Sequence, residues 1–257
     1  MAFGNKGRFF LVALVIALIT VLVLFIAALG EGLSNANRQY IANLDAQLIV
    51  FLEKSDYNIS ASRLEPNTVK SVRRVEGVQE AGPIYTSNTQ IVSLPEPLKI
   101  SMLGVEAERP GMPSLLEGRY FRGGEAREAV MDMSVAERTN LKIGDEIEVR
   151  STQGTNDEFY KLKIVGLVDE QAYFFQPTIF VPAATWELGR PQPESDLNSD
   201  TPYPNIVAVK LEDPTQVEEM KLRLQNEVSN IEAADIETTI NNIPGYTAQQ
   251  GTVQTQA

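Results

Sequence analysis

Eight carboxylates, Asp132, Asp145, Glu146, Glu148, Asp157, Glu158, Asp169 and Glu170, are the side chains best suited to acid–base work in this sequence. Such work needs two of them at a set separation in a cleft. Here they fall on turns and strand flanks, where a solvated acidic face is the simpler reading. A calcium loop would alternate acidic ligands around a glycine and close on a glutamate. The stretch 194–200, ESDLNSD, offers three acids without that glycine or that closure. Gly118-Arg119-Tyr120-Phe121-Arg122-Gly123-Gly124 combines glycines with cations but lacks the Lys-Ser/Thr ending of a phosphate loop. It reads as a hairpin connection anchored by Tyr120 or Phe121. The chain has no His and no Cys. That removes the commonest general base and metal ligand, the Ser-His-Asp arrangement and every disulfide. The residues therefore point away from an enzyme, with no cofactor and no metal expected.

What remains is chemistry of contact. In Ala172-Tyr173-Phe174-Phe175-Gln176-Pro177 three aromatics follow one another. Neighbours on a strand face opposite sides, so Tyr173, Phe174 and Phe175 cannot all enter one core. Two readings stand: packing between subdomains, or contact with a partner or hydrophobic cargo. The second apolar feature is a stripe in residues 31–46, where Leu33, Ala36, Tyr40, Ile41 and Leu44 recur at helical spacing. It is too narrow to bury alone, so it calls for a partner helix.

These features hang on residues 9–29, an uncharged run that as a helix would reach roughly 31 Å, the thickness of a bilayer core. Lys6 and Arg8 precede it, which puts the tail 1–8 in the cytoplasm. The run exceeds the core of a cleavable signal, so a retained span is expected. Residues 30–46 then continue the helix outward as an amphipathic stalk, with a break at Gly30–Gly32 as the alternative. With Lys6 and Arg8 set aside, 20 basic residues face 34 acidic ones. That balance repels nucleic acid and gives no attraction to an anionic membrane face.

Residues 47–52 read as a strand buried on both faces. A helix follows, entered at Pro66 and ended at Gly77. Residues 78–93 are a strand or strand pair, with Pro83 confined to an edge or bend, and 97–106 are another strand. The pattern returns at 205–211, with a helix capped by Asp213, Pro214 and Gln216 and a strand at 230–238. Two such pieces make an α+β subdomain, 47–107 with 205–245, with helices on one face. Between them, 108–190 is β-rich with one short helix, SVAERTN, boxed by Ser134 and Glu137. Its strand through Ile147 and Val149 has the look of a small barrel. Residues 191–204 form a connecting loop, and 246–257 a flexible tail or linker.

Residues 117–149, with EGRYF, GE, REAV, AER and LKIGDEIEV, and 162–182, with LKIVGLVDE and PTIFVPA, resemble the extracytoplasmic core domain of MacB/FtsX-like ABC transporter permeases. The resemblance covers about residues 5–250. It implies an α+β fold with an N-terminal transmembrane helix and a split porter-like subdomain carrying an inserted sabre-like one. It further implies a cytoplasmic ABC ATPase as a separate chain, a homodimer or related permease partner, a lipid bilayer, and contact with an extracytoplasmic adaptor or substrate. Family members carry three further membrane helices, so this sequence corresponds to an N-terminal portion or a split half. The expected work is export or another task outside the membrane, driven by ATP. A single-pass anchored binding or scaffold protein is the alternative.

Overall fold

The structure, a computed structural model, describes residues 4–242 except 125, 170, 172, 174, 175 and 192–201, and leaves out the side chains of 4–9 and 26–38. The long helix α1 spans Gly4–Ala42 without a break at Gly30 or Gly32. The stalk expected over 31–46 therefore stops being helical at Ala42, and residues 43–47 form an irregular link. Side chains 10–25 of α1 are all exposed, from Phe10 to Phe25. Among the described residues no helix is long and apolar enough to cross a membrane. The span expected over 9–29 runs past those described side chains at both ends. Calcium-like loop 194–200, the tail 246–257, Leu33, Ala36, Phe174, Phe175 and Glu170 likewise lie wholly or in their side chains outside what is described.

Among the described residues ten strands follow: β1 (Leu48–Leu52), β2 (Val78–Ile91), β3 (Leu98–Val105), β4 (Leu115–Gly118), β5 (Glu128–Asp132), β6 (Glu146–Gln153), β7 (Asn156–Val168), β8 (Thr178–Pro182), β9 (Ile206–Leu211) and β10 (Ile231–Asp235). Among the described residues five short helices accompany them: α2 (Thr68–Val72), α3 (Met133–Thr139), α4 (Ala183–Gly189), α5 (Val217–Glu227) and α6 (Ile236–Asn241). The strand order is β10-β1-β9-β2-β3-β8-β5-β7-β4, with β6 bridging β7 and β2. That bridge closes a barrel of six strands, β2-β3-β8-β5-β7-β6. Its interior holds Ile91, Ile100, Met102, Met131, Ile147, Val149, Leu162 and Ile179, capped by Val135 of α3 and Trp186 of α4. The expected alternation of β7 holds, with Leu162 and Ile164 inside and Lys161 and Lys163 out.

The barrel draws β2 and β3 from the first α+β stretch and β5 to β8 from the β-rich one. The first half of β2 pairs with β9, and its far end with β6. A cut at residue 107 thus passes through one hydrogen-bonded wall. Pro83 sits where β2 pairs with β9 alone, one residue before the β3 ladder starts at Ile84. A missing N–H costs nothing on an open side.

Helices lie on both faces of the open end of the sheet, not on one as the pattern suggests. Leu48, Val50, Val207 and Val209 face α2 and α5 through Val69, Val72, Met220 and Leu224. Ile49, Phe51, Ala208 and Ala234 face the end of α1 and α6. A central strand has two apolar faces, and each needs cover. Local caps also differ from expectation. Helix α3 is capped by Asp132, whose carboxylate accepts from Val135 N at 2.9 Å, and not by Ser134 with Glu137. Asp213 closes a turn on Thr215, and α5 begins later, at Val217, without a side-chain cap. The pattern missed α4 and α6 altogether, since six or seven residues show too little periodicity to register.

Candidate functional site

The feature most unlike an ordinary sheet domain is the way α1 ends. Tyr40 and Ile41, on its last turn, are fully buried. Tyr40 sits edge-on to Tyr173, ring centroids 6.0 Å apart, and 5.7 Å from Phe180 of β8. Its hydroxyl donates to the carbonyl of Gly111 at 2.7 Å. Burial holds that hydroxyl well above the usual tyrosine range, so it stays a neutral donor. One side chain thus touches β8, the turn before β8 and the segment after β3. The apolar cluster around it runs from Ala234 on β10 to Val168 on β7.

Supporting residues fix each partner. Asp132 accepts from Thr178 N at 2.8 Å through its second oxygen, tying the end of β5 to the start of β8. Tyr173 N donates to Thr178 Oγ1, and Ser101 Oγ donates to Tyr173 O at 2.9 Å. Burial raises the Tyr173 hydroxyl, with Thr86 and Ser60 as hydrogen-bonding neighbours that pull the other way. The link after α1 is pinned as well. Asp45 pairs with Lys210 at 2.6 Å. Gln47 N donates to Val209 O, and Gln47 Oε1 accepts from Leu211 N. Helix α6 flanks the end of α1, with Ile236 and Ile240 packed on the same cluster. Its own start is capped by Asp235, which accepts from Thr238 N. Among the described residues, the end of α1 and the link after it thus contact β8 through Tyr40 and β9 through Asp45 and Gln47.

Of the contact residues singled out from the sequence, the structure brings Tyr40 and Tyr173 together and packs Leu44 at the rim of the same cluster. The C-terminal part of the stripe, Tyr40, Ile41 and Leu44, packs on the sheet, while the side chains of Leu33 and Ala36 lie outside what is described. Phe180 and Gly111 were not singled out. Phe180 looked like any strand residue, and Gly111 acts through a carbonyl that no residue pattern marks.

Among the described residues the acidic side chains form no common centre. Asp132 is a buried cap, Glu146 pairs with Lys161, and Asp157 accepts from Thr152. Among the described residues no group of three or more potential ligands could hold a metal. The connection between β4 and β5 is not the hairpin expected, since the two strands pair with β7 on opposite sides and not with each other; there Arg119 grips Glu128 with both guanidinium nitrogens, while Arg122 N donates to the same carboxylate. The Arg119 guanidinium, aided by that N–H and opposed by partial burial, holds Glu128 down from the ordinary 4.5 to about 2. A lowered carboxylate stabilises fully above its unfolded value and loses that stabilisation as pH falls through the folded one. Thermal melts should show stability declining between pH 4.5 and pH 2. Glu128→Gln should lower the melting temperature at neutral pH and flatten that decline. An unchanged acid slope in Glu128→Gln would show that the pair contributes nothing.

Residues 9–227 match the family model described as the MacB-like periplasmic core domain. The putative hemin transport system permease protein HrtB of Staphylococcus haemolyticus is 22% identical over 171 residues, 65% of this chain and 44% of that protein. The chain thus spans less than half the length of this curated relative. The extracellular domain of the noncanonic ABC-type transporter YknZ from Gram-positive bacteria aligns with a TM-score of 0.50 and 14% identity, over 73% of this chain and 99% of that one. The periplasmic region of MacB from Actinobacillus actinomycetemcomitans aligns with a TM-score of 0.53 and 13% identity, over 84% and 97%. At such identities these two structures speak to the fold alone. With the family model covering most of its length, the chain belongs to the MacB-like periplasmic core domain family of ABC transporter permeases.

Proposed function

We propose that this chain supplies the first membrane helix and the extracytoplasmic domain of an ABC permease, and that α1 carries motion from the membrane to that domain. Residues 9–29 span the bilayer, with 1–8 in the cytoplasm. A separate cytoplasmic ATPase drives the movement, and the permease works as a dimer of itself or of related subunits. The observation that carries the reading is the junction: a 39-residue helix whose final turn is buried against the sheet through Tyr40. A helix is stiff over that length, and a pinned end turns tilting of the helix into displacement of β8 and β9. A tether for a freestanding binding domain would need no such socket.

The absence of cysteine makes topology easy to test. Asn5→Cys and Ser229→Cys are single labels near the two ends of the described chain. In intact cells a membrane-impermeant maleimide should label Ser229→Cys and spare Asn5→Cys until the membrane is opened. Protection of Ser229→Cys in intact cells would overturn the placement. The permease reading itself is tested by reconstituting the protein with an ABC ATPase encoded beside it. Hydrolysis that responds to the permease supports it. An ATPase that neither binds nor responds returns the chain to the reading of an anchored scaffold.

A further inference from the structure

We propose that the seam where β6 closes on β2 is a binding site for a small organic anion, carboxylate or phosphate, that also carries a hydrogen-bond donor. Gln90 of β2 stands directly opposite Lys99 of β3 on one side and Arg150 of β6 on the other. Cross-strand partners project from the same face, so these three side chains form a row on the outer wall of the barrel. Asn88 and Thr152, each two residues along its strand, lie on that face too. Together with Gln176 they line an open groove of about 350 Å³.

Three observations specify the ligand. First, Lys99 is exposed and, among the described residues, has no carboxylate partner. Second, Arg150 reaches Asp157 only at 3.7 Å, while Asp157 is already engaged by Thr152 Oγ1 at 2.8 Å. Among the described residues, two cations against one occupied carboxylate make a local excess of positive charge on a chain of net charge −12. Charge-assisted bonds from lysine and arginine suit a carboxylate or phosphate. Third, Gln176 Oε1 is buried and has no hydrogen-bond partner among the described residues. Its backbone is tied to Tyr173, with Gln176 N donating to Tyr173 O and Gln176 O accepting from Tyr173 N. A buried acceptor left unpaired is costly, and turning the Gln176 side chain toward the groove it lines would let a ligand N–H or O–H satisfy it. Gln90 is paired on both sides, so no open strand edge lies there and recognition rests on side chains rather than strand addition. Phe159, exposed and directly opposite Arg150 on β7, adds an apolar surface beside the cations.

The test uses the full chain in a neutral detergent at constant ionic strength, by equilibrium dialysis with three probes. N-acetylglycine carries a carboxylate and an amide N–H, glycerol 3-phosphate a phosphate and hydroxyls, and N-acetylglycinamide no charge. At least one anion should saturate a single site in the millimolar range or tighter, while the neutral probe should not. Which anion binds distinguishes a carboxylate ligand from a phosphate ligand. Lys99→Gln with Arg150→Gln should weaken binding about tenfold or more, and Gln176→Leu should weaken it with both charges in place. Arg150→Lys, which keeps the charge, should retain most of the binding. Circular dichroism melts matching the parent separate loss of the site from loss of the fold. No saturable binding by either anion would overturn the proposal. So would equal affinity for the neutral probe, or unchanged affinity in a folded double variant.

Discussion

Tyr40→Ala is expected to destabilise the domain by about 3–5 kcal/mol, the range for removing a large buried aromatic side chain. The ring is 1% exposed and fills the space between Tyr173, Phe180 and the segment at Gly111. These groups come from separate stretches of chain, so they cannot collapse together to fill the void without moving the sheet. Tyr40→Phe keeps the ring and removes one bond, which should cost about 1–2 kcal/mol by leaving a buried carbonyl short of a donor. Urea denaturation of the detergent-solubilised chain would measure both. A loss under about 1 kcal/mol for Tyr40→Ala would mean that α1 does not depend on this socket. On the proposed function the two variants also differ in mechanism. A permease carrying Tyr40→Ala should keep ATP hydrolysis but export less per ATP, because the helix end slips against β8. Tyr40→Phe should leave that ratio near the parent value. Equal coupling in both would separate the socket's structural role from transmission of motion.

The junction was only half visible in the sequence, for a physical reason. Periodicity marks which side of a helix is apolar, and it placed Tyr40 and Leu44 on that side. It cannot say what covers the face. A second long helix is the economical expectation; for Tyr40, Ile41 and Leu44 the cover is a mixed sheet assembled from residues far apart in the chain. The same limit hides the barrel. Strand β1 was legible because LIVFL is apolar on both faces, and β7 because Leu162 and Ile164 alternate with lysines. Closure, however, depends on Gln90 and Ile91 meeting Arg150 and Val149, a polar and an apolar pair with no mark of their own. Capping failed differently. Ser134 with Glu137 matched the spacing of a capping box, but Asp132 sits at the true start and binds the same Ser134 hydroxyl. A carboxylate that can also reach Thr178 N outcompetes a serine that can serve only its own helix. Tyr173 had two readings, core or partner contact, and it is 7% exposed against Tyr40.

Gly82→Ala is expected to match Tyr40→Ala in effect although it lies on another strand. A Cβ at Gly82 would stand 1.9 Å from the carbonyl oxygen of Pro110. No rotamer relieves that overlap, since both atoms belong to or adjoin backbone. The cost should therefore reach or exceed the upper end of the roughly 1–3 kcal/mol usual for overpacking. The absent side chain has a purpose in the junction. It lets the segment at Pro110 lie flat on β2, and the next residue is Gly111, whose carbonyl receives the Tyr40 hydroxyl. Gly111 itself has φ +110°, a conformation that favours glycine, so the acceptor is set by two glycines on two segments. If Gly82→Ala lifts this segment, Tyr40 loses its acceptor without any change in α1. A double-mutant cycle reads that coupling. In the parent, Tyr40→Phe should cost about 1–2 kcal/mol; in the Gly82→Ala background it should cost close to nothing. Additive losses would mean that the segment accommodates the methyl by shifting elsewhere, and that the hold on α1 does not pass through Gly82.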